Sequence, residues 1–193
     1  MIPALPLRLR NRLAETILAA LRDTTARRAL ATLAADGGRE WLERHEVHWA
    51  APLAARARVA CAAVADRPLL GPDADLRETL AAAAALFDAG LYFEVHEVLE
   101  PRWGAASGQE REALQGLIQV AVAWQHHANG NLAGACSLLV EGGARLHGRR
   151  LAGADLEPLA RAATQAAEHL AAGQPITAPL FPPLAKEAAW TSS

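Results

Sequence analysis

The stretch GQEREALQGLIQVAVAWQHHA, residues 108–128, is apolar on almost every side when it is drawn as a helix. At about 100° per residue, its leucine, isoleucine, valine and tryptophan side chains point in nearly all directions. A helix of this kind is typical of the centre of an all-helical protein, because every face needs an apolar neighbour. The sequence therefore predicts an all-α fold, a compact multi-helix bundle, around this segment.

The composition agrees with this prediction along the rest of the chain. The 193 residues are 52% hydrophobic and only 5% aromatic, and most of the apolar residues are Ala and Leu, which favour helix over sheet. Helical periodicity, interrupted by Gly and Pro, predicts helices over residues 8–22, 24–35, 39–50, 53–65, 75–89, 91–103, 108–128, 131–147 and 155–172.

Three local signals refine the helix ends. Asp75 with Glu78, and Ser107 with Glu110, have the spacing of capping boxes that begin helices. Pro101 cannot donate a backbone hydrogen bond, so we expect the preceding helix to kink or end near residue 100.

The segment DRPLLGPDAD, residues 66–75, contains two prolines and a glycine and is the best internal boundary. In the proline-rich end of the chain, Leu180, Phe181 and Trp190 are candidates to dock on the bundle. We therefore predict an N-terminal helical extension over 1–70, a helical bundle core over 73–172 and a Pro-rich C-terminal tail over 173–193.

Charge and cysteine content narrow the partners and the compartment. A net charge of −2 gives no general attraction to nucleic acid or to an anionic membrane, so neither is expected as a partner. No stretch reaches about eighteen uninterrupted apolar residues, as a transmembrane helix requires. Cys61 and Cys136 lie within helical patterns and are interpreted as reduced thiols, which predicts a cytoplasmic protein.

The stretch FEVHEVLE, residues 93–100, places several charged residues within an apolar run. On a helical wheel, His96 and Glu100 fall at the centre of the predicted apolar face, Glu97 at its edge and Glu94 toward solvent. The large side chains within about 60° of His96 on that wheel are Tyr92, Phe93, Leu99 and Trp103. A polar site inside the bundle is therefore predicted.

The helix over 108–128 carries its own polar residues on one side, Gln115, Gln119 and His126. A short loop joins it to the preceding helix, which favours an antiparallel hairpin. This pairing predicts Gln115 opposite His96 and Glu100, and Gln119 opposite Tyr92. His126 would lie about 16 Å further along, at 1.5 Å rise per residue.

Three explanations of this predicted site stay open. In the metal hypothesis, the H-E-x-x-E pattern makes His96 and Glu100 ligands of a divalent metal such as zinc, with Glu97 as the base and His126 as a third ligand if it comes near. The second hypothesis is a hydrogen-bonded network that only fixes packing, which is common for buried polar groups. The third is a pocket for an organic ligand, with His96 as acid–base group.

A second histidine cluster lies in EWLERHEVHW, residues 40–49, which contains Trp41, His45, His48 and Trp49. His45 and His48 have a spacing that could share a metal ion. Because exposed polar residues need no special reason, we instead predict an amphipathic surface packed by its tryptophans.

The stretch LFDAGLYFEVHEVLEPRWGAASGQEREALQGLIQVAVAWQHHANGNLAGACSLL, residues 86–139, resembles the domain of unknown function 309 family. The resemblance rests on a Phe-x-x-Gly turn, YFEVHEVLE, a Trp three residues on, LQGLIQ, and a His followed by Gly-Asn. It implies a helical bundle and no established reaction, although the motif has suggested a metal-dependent hydrolase. The motif positions fall on His96, Glu97, Glu100, Trp103, Gln115, Gln119 and His126.

The enzymatic hypothesis is therefore metal-assisted hydrolysis of a small substrate, with His96 and Glu97 as catalytic residues and His96, Glu100 and His126 as metal ligands. The residues predicted to contact the substrate are Tyr92, Trp103, Gln115 and Gln119. The alternative is a non-enzymatic binding or scaffold module whose polar network is structural. A small-molecule ligand and a homo-oligomer both stay open as partners.

Overall fold

The computed structural model describes residues 5–184. Within that range the chain forms eight α-helices, two short 3₁₀ segments and one small hairpin, which confirms the predicted all-α bundle. The helices are α1 (Leu7–Ala20), α2 (Thr24–Asp36), α3 (Ala50–Val64), α4 (Leu76–Asp88), α5 (Tyr92–Ala105), α6 (Gly108–Ala128), α7 (Leu132–Leu146) and α8 (Glu157–Ala171). The hairpin pairs β1 (Arg150–Leu151) with β2 (Ala154–Asp155) in antiparallel register.

Helices that follow one another in sequence pack side by side. The first three form one group, and α4 to α8 form a second in which each helix contacts the next. Helix α1 also contacts α5 and thereby joins the two groups. Buried side chains from α1, such as Leu13, and from α6, such as Leu114, belong to one hydrophobic core.

Helix α6 is the central helix, as its sequence predicted. It packs against α5 on one side and against α7 on another, and most of its side chains are buried. The contact with α7 is close because both helices carry glycine there: a Cβ on Gly142 would lie 2.8 Å from a methyl group of Val120. The small residues of α7 thus permit close helix approach.

Two of the three end signals behave differently from the prediction. The Asp75–Glu78 capping box is present, with Glu78 N donating to Asp75 Oδ1 at 2.8 Å. Ser107 makes no side-chain cap bond, so the second box is absent. Pro101 does not end α5, which continues to Ala105. Pro101 lies on the exposed side of the helix, where the carbonyl that loses its partner is not sealed in the core.

The predicted helix over 39–50 is also wrong. Two 3₁₀ segments, Arg39–Trp41 and Arg44–Trp49, replace it. Leu42 and Glu43 between them are extended, and Glu43 N donates to Glu46 Oε2 at 3.1 Å to begin the second segment. This local hydrogen bond satisfies the backbone N–H of Glu43 without a continuous helix, so the segment forms two short 3₁₀ turns.

The C-terminal tail docks through one of its three candidate residues. Phe181 is buried, its backbone N–H donates to Asp88 Oδ1 at 2.6 Å, and its ring contacts Phe87 edge-on. Leu180 is 77% exposed, so its predicted docking is wrong, and Trp190 lies outside the described residues. Among the helices that the structure describes, none combines the length and apolar character needed to cross a membrane.

Candidate functional site: two faces of helix α5

His96, Glu97 and Glu100 form a cluster on one turn of α5. Each offers a ligand atom, and these three atoms lie within 4.8 Å of one another. His96 Nδ1 and Glu97 Oε1 are 3.2 Å apart, and the two side chains are 30% and 33% exposed. Glu100 is exposed. We call these three residues the outer cluster.

The outer cluster is therefore partly open to solvent, and the prediction of a buried site between two helices is wrong in this respect. The residues of α5 that face the core are Leu91 just before it, Val95, Val98 and Leu99. On a helical wheel these side chains centre about 115° from His96 and nearly opposite the middle of the outer cluster. The large aromatic residues near His96 are only partly buried, since Tyr92, Phe93 and Trp103 all keep some exposure.

The carboxylate that is buried is Glu94, which the wheel had placed in solvent. Its side chain has 0% exposure, and neither oxygen has a hydrogen-bond partner among the described residues. Arg56 of α3 supplies the nearest opposite charge, with Nη2 3.7 Å from Glu94 Oε2. Burial raises the pKa of Glu94, and the positive charge of Arg56 opposes that rise.

The N-terminal helices thus approach α5 through charged groups. Besides the Arg56–Glu94 contact, the guanidinium of Arg10 in α1 lies 4.2 Å from the centre of the Phe93 ring. Sequence reasoning missed both contacts because each joins residues that lie far apart along the chain. The sequence held one signal that Glu94 is buried. Leu91 lies three residues before it, Val98 four residues after it and Val95 next to it, so apolar side chains surround this carboxylate on the helix face.

Gln119 belongs to a different contact, between α6 and α7. It is buried, and its Nε2 donates to Glu141 Oε2 at 2.9 Å. Ser137 Oγ donates to the other oxygen of Glu141 at 3.2 Å. Gln115, one turn earlier on α6, is partly buried. The bond from Gln119 to Glu141 thus joins α6 to α7.

His126 lies at the C-terminal end of α6 and is not a member of the outer cluster. Its Nδ1 is 2.9 Å from Nδ2 of Asn131, and Asn131 caps α7 by accepting from Gly134 N at 3.0 Å. The third ligand-type residue of the outer cluster is Glu97. The structure thus connects His126 to the turn between two helices.

Tyr92 and Trp103, the two predicted walls of the site, lie toward opposite ends of α5. The Tyr92 ring contacts Phe87 and Trp124, with centroids 5.3 and 6.4 Å away, and burial together with the charge of Asp88 raises the pKa of Tyr92. At the other end, the Arg111 guanidinium stacks 4.0 Å from the Trp103 ring and donates to the Trp103 carbonyl.

The second histidine cluster forms no comparable group. His48 contacts the ring of Trp49, and His45 Nδ1 lies 3.5 Å from Glu43 Oε2 with both side chains largely exposed. Within residues 5–184, the group of three ligand-type residues that lie close together is the outer cluster, and neither histidine belongs to it. The predicted packing by tryptophans is seen at Trp41, whose ring lies 4.3 Å from the guanidinium of Arg12.

The outer cluster fits the ligand requirements of a divalent transition metal. Imidazole and carboxylate ligands suit zinc, manganese and iron. In a tetrahedral zinc site, with bonds of about 2.0–2.2 Å, neighbouring ligand atoms lie about 3.4 Å apart. The His96–Glu97 separation of 3.2 Å already matches that spacing, and an exposed glutamate such as Glu100 can change rotamer to close the rest.

Fold and site together define a helical bundle in which a partly exposed turn of α5 carries a potential metal-binding cluster. Residues 80–138 match the family described as Domain of unknown function (DUF309), so this segment carries that domain and the resemblance is confirmed. The match runs from within α4 to within α7 and includes the outer cluster, Glu94, Gln119 and His126. No curated protein and no solved structure matches the chain. Helices α1–α3 lie outside the matched segment.

Proposed function

We propose that the protein binds a divalent metal ion at the outer cluster and uses it to hydrolyse a small substrate. The observation that supports this proposal is the convergence of His96, Glu97 and Glu100, whose ligand atoms lie within 4.8 Å on one helical turn. Metal sites that perform catalysis commonly have three protein ligands and leave further positions open. The partial exposure of the cluster leaves room for those positions.

Each residue has a distinct role in this proposal. His96 and Glu100, one turn apart, hold the ion from the same side of α5. When bound, the ion would supply Lewis acidity to a substrate carbonyl or phosphoryl oxygen. Glu97 has two carboxylate oxygens, so one can bind while the other accepts a proton. We assign that second task to Glu97 because it is less exposed than Glu100 and adjoins His96.

Hydrolysis is tested with chromogenic esters and phosphoesters, with Zn²⁺, Mn²⁺ or Fe²⁺ added to chelator-treated protein. We expect metal-dependent turnover by the wild type that is lost on Glu97→Gln. Glu110→Gln, which changes an exposed glutamate at the start of α6, serves as the matched control and keeps full turnover. Equal turnover by wild type and Glu97→Gln would contradict the assigned role of Glu97.

The scaffold module is the second candidate, and one observation favours it. The buried polar groups of this domain lie in helix–helix contacts: Glu94 meets Arg56 of α3, and Gln119 meets Glu141 of α7. A protein whose polar residues serve only these contacts needs no bound ion. The two proposals differ in what they require of His96 and Glu100. These residues bind the metal ion in the first proposal and have no functional role in the second.

We also propose that this function is carried out in the cytoplasm. Both cysteines, Cys61 and Cys136, are free, and burial raises the pKa of the Cys61 thiol, which makes it less reactive. Free thiols are typical of a reducing compartment. Fractionation of cells that express the chain with its native ends tests this location; recovery outside the cytoplasm would contradict it.

A further inference from the structure

Helices α7 and α8 form a groove between them. Helix α6 packs between α7 and α5, the helix that carries the outer cluster. The volume of the groove is about 870 Å³. Its lining includes Val140, Ala144, His147, Glu157, Arg161 and Glu168. The two helices approach closely at its floor, since a Cβ on Gly143 would lie 3.2 Å from the Ala160 carbonyl oxygen. The groove is therefore shallow and wide, unlike an enclosed pocket for a small molecule.

One wall of the groove continues into an apolar face of α7. Val140 is 54% exposed and Leu132 is 51% exposed, and both are among the few large apolar side chains that residues 5–184 leave in solvent. At about 100° per residue, Leu132, Cys136 and Val140 fall within about 80° of one another on the helix. The charged residues of α7, Glu141 and Arg145, point away from the middle of this stripe. Cys136, between Leu132 and Val140, is only partly exposed, and its Sγ donates to the Ala167 carbonyl oxygen of α8. Exposed apolar side chains that share one helix face, as Leu132 and Val140 do, are typical of an interaction surface.

The other wall carries an exposed arginine near one end and an exposed glutamate near the other. Arg161 and Glu168 of α8 are seven residues apart, so they lie on the same face and about 10.5 Å apart along the axis. Arg161 contacts Glu157 at 2.9 Å and keeps 77% of its side chain exposed. Glu168 is exposed and takes part in no ion pair within residues 5–184. Glu157 borders the groove at the Arg161 end, so that end carries an ion pair with an exposed guanidinium. The other end carries the carboxylate of Glu168, which no ion pair within residues 5–184 neutralises.

We propose that the occupant of this groove is a second copy of the same chain. In a twofold-symmetric dimer the same surface patch meets itself in the reverse direction. Reversing this groove places Arg161 of each copy opposite Glu168 of the other, and it packs the two Val140 faces together near the axis. The helices α7 and α8 of both copies then form a four-helix interface. This arrangement covers the apolar face and pairs Glu168 with a cation.

The test is sedimentation equilibrium of the full chain, without metal and with an excess of chelator, so that the result does not depend on the outer cluster. We expect the wild type to dimerise and Val140→Glu to raise the dissociation constant at least about tenfold, because it buries a carboxylate at the centre of the interface. Val47→Glu is the matched control: Val47 is 62% exposed but lies outside α7 and α8, and its substitution leaves the dissociation constant unchanged.

A charge reversal tests the proposed direction. Arg161→Glu and Glu168→Arg should each weaken the dimer severalfold, because each creates two like-charge contacts across the axis. The double variant restores opposite charges and should recover most of the affinity. Thermal unfolding of each variant shows that the monomer is intact. A monomeric wild type, an unaffected Val140→Glu dimer, or a double variant as weak as the single ones would each overturn the proposal.

Discussion

The two faces of helix α5 use the same kinds of residue in opposite environments. On the inner face, Glu94 has no exposure and meets Arg56 from the N-terminal helices. On the outer face, Glu97 is one-third exposed and lies beside His96. Isolation from water makes the inner carboxylate dependent on one partner, whereas the outer carboxylates are solvated and remain available to a ligand. Position on the helix, rather than residue type, therefore separates structural from functional candidates.

The largest effect should follow from removing the partner of Glu94. We expect Arg56→Ala to lower the free energy of unfolding by about 3 kcal/mol at neutral pH, because it leaves a buried charge uncompensated. Replacing both residues with methionine should cost less than Arg56→Ala alone, because it removes both charges. Urea unfolding of the chelator-treated proteins measures these changes. A double variant less stable than Arg56→Ala would contradict this explanation, because apolar packing would then fail to replace the charge pair.

A pH dependence should follow from the same carboxylate. Burial raises the pKa of Glu94 above its ordinary value of 4.5. A carboxyl group with a raised pKa binds its proton more strongly in the folded state, so the stability it contributes is present at low pH and is lost as pH rises through the folded pKa. The stability of the wild type minus that of Glu94→Gln should therefore fall as pH increases above about 4.5. Urea unfolding across this range checks the slope, and a constant difference would contradict a raised pKa.

A smaller effect is expected at the neighbouring contact with α1. Arg10→Met should lower the free energy of unfolding by about 0.5–1 kcal/mol, the usual contribution of an arginine over an aromatic ring at a partly exposed site. Arg10 lies 4.2 Å from the centre of the Phe93 ring. Arg28→Met, on α2, is a control of identical chemistry on an exposed residue. Chemical denaturation that gave equal losses for the two variants would show that the contact contributes nothing.

The smallest effect on stability is expected on the outer face. His96→Ala and Glu100→Gln should each change the free energy of unfolding by no more than about 0.5 kcal/mol without metal, because both residues are at least partly exposed. Urea unfolding in chelator checks this expectation. A loss of several kcal/mol at either position would place the outer cluster in the same structural category as Glu94 and favour the scaffold module.

The sequence predicted the helices well because their signals are local. Periodicity placed all eight α-helices within a few residues of their observed ends, and the Asp75–Glu78 capping box is present where its spacing indicated. The resemblance located the domain from a few short motifs between the end of α4 and the start of α7, and the family match over residues 80–138 confirms it. Neither inference needs to know which helices meet in space.

The orientation of α5 could not be predicted in this way. The prediction centred the apolar face on His96 because Tyr92, Phe93 and Trp103 lie near it on the wheel. Large amphipathic rings, however, can be half-buried beside solvent. Smaller residues, Val95 and Val98, mark the true inner face. That face is buried partly by α1 and α3, whose contact with α5 joins residues far apart in sequence. The role of Arg56 became visible only through that contact.

The most direct test of the contrast between the two faces is the metal content of the protein purified without an affinity tag. It is compared with that of His96→Ala/Glu100→Ala and of Glu110→Ala as the exposed control. We predict close to one equivalent of a transition metal in the wild type and in the control, and none in the double variant. A folded wild type that carries no metal and takes up none from added Zn²⁺, Mn²⁺ or Fe²⁺ would contradict the account.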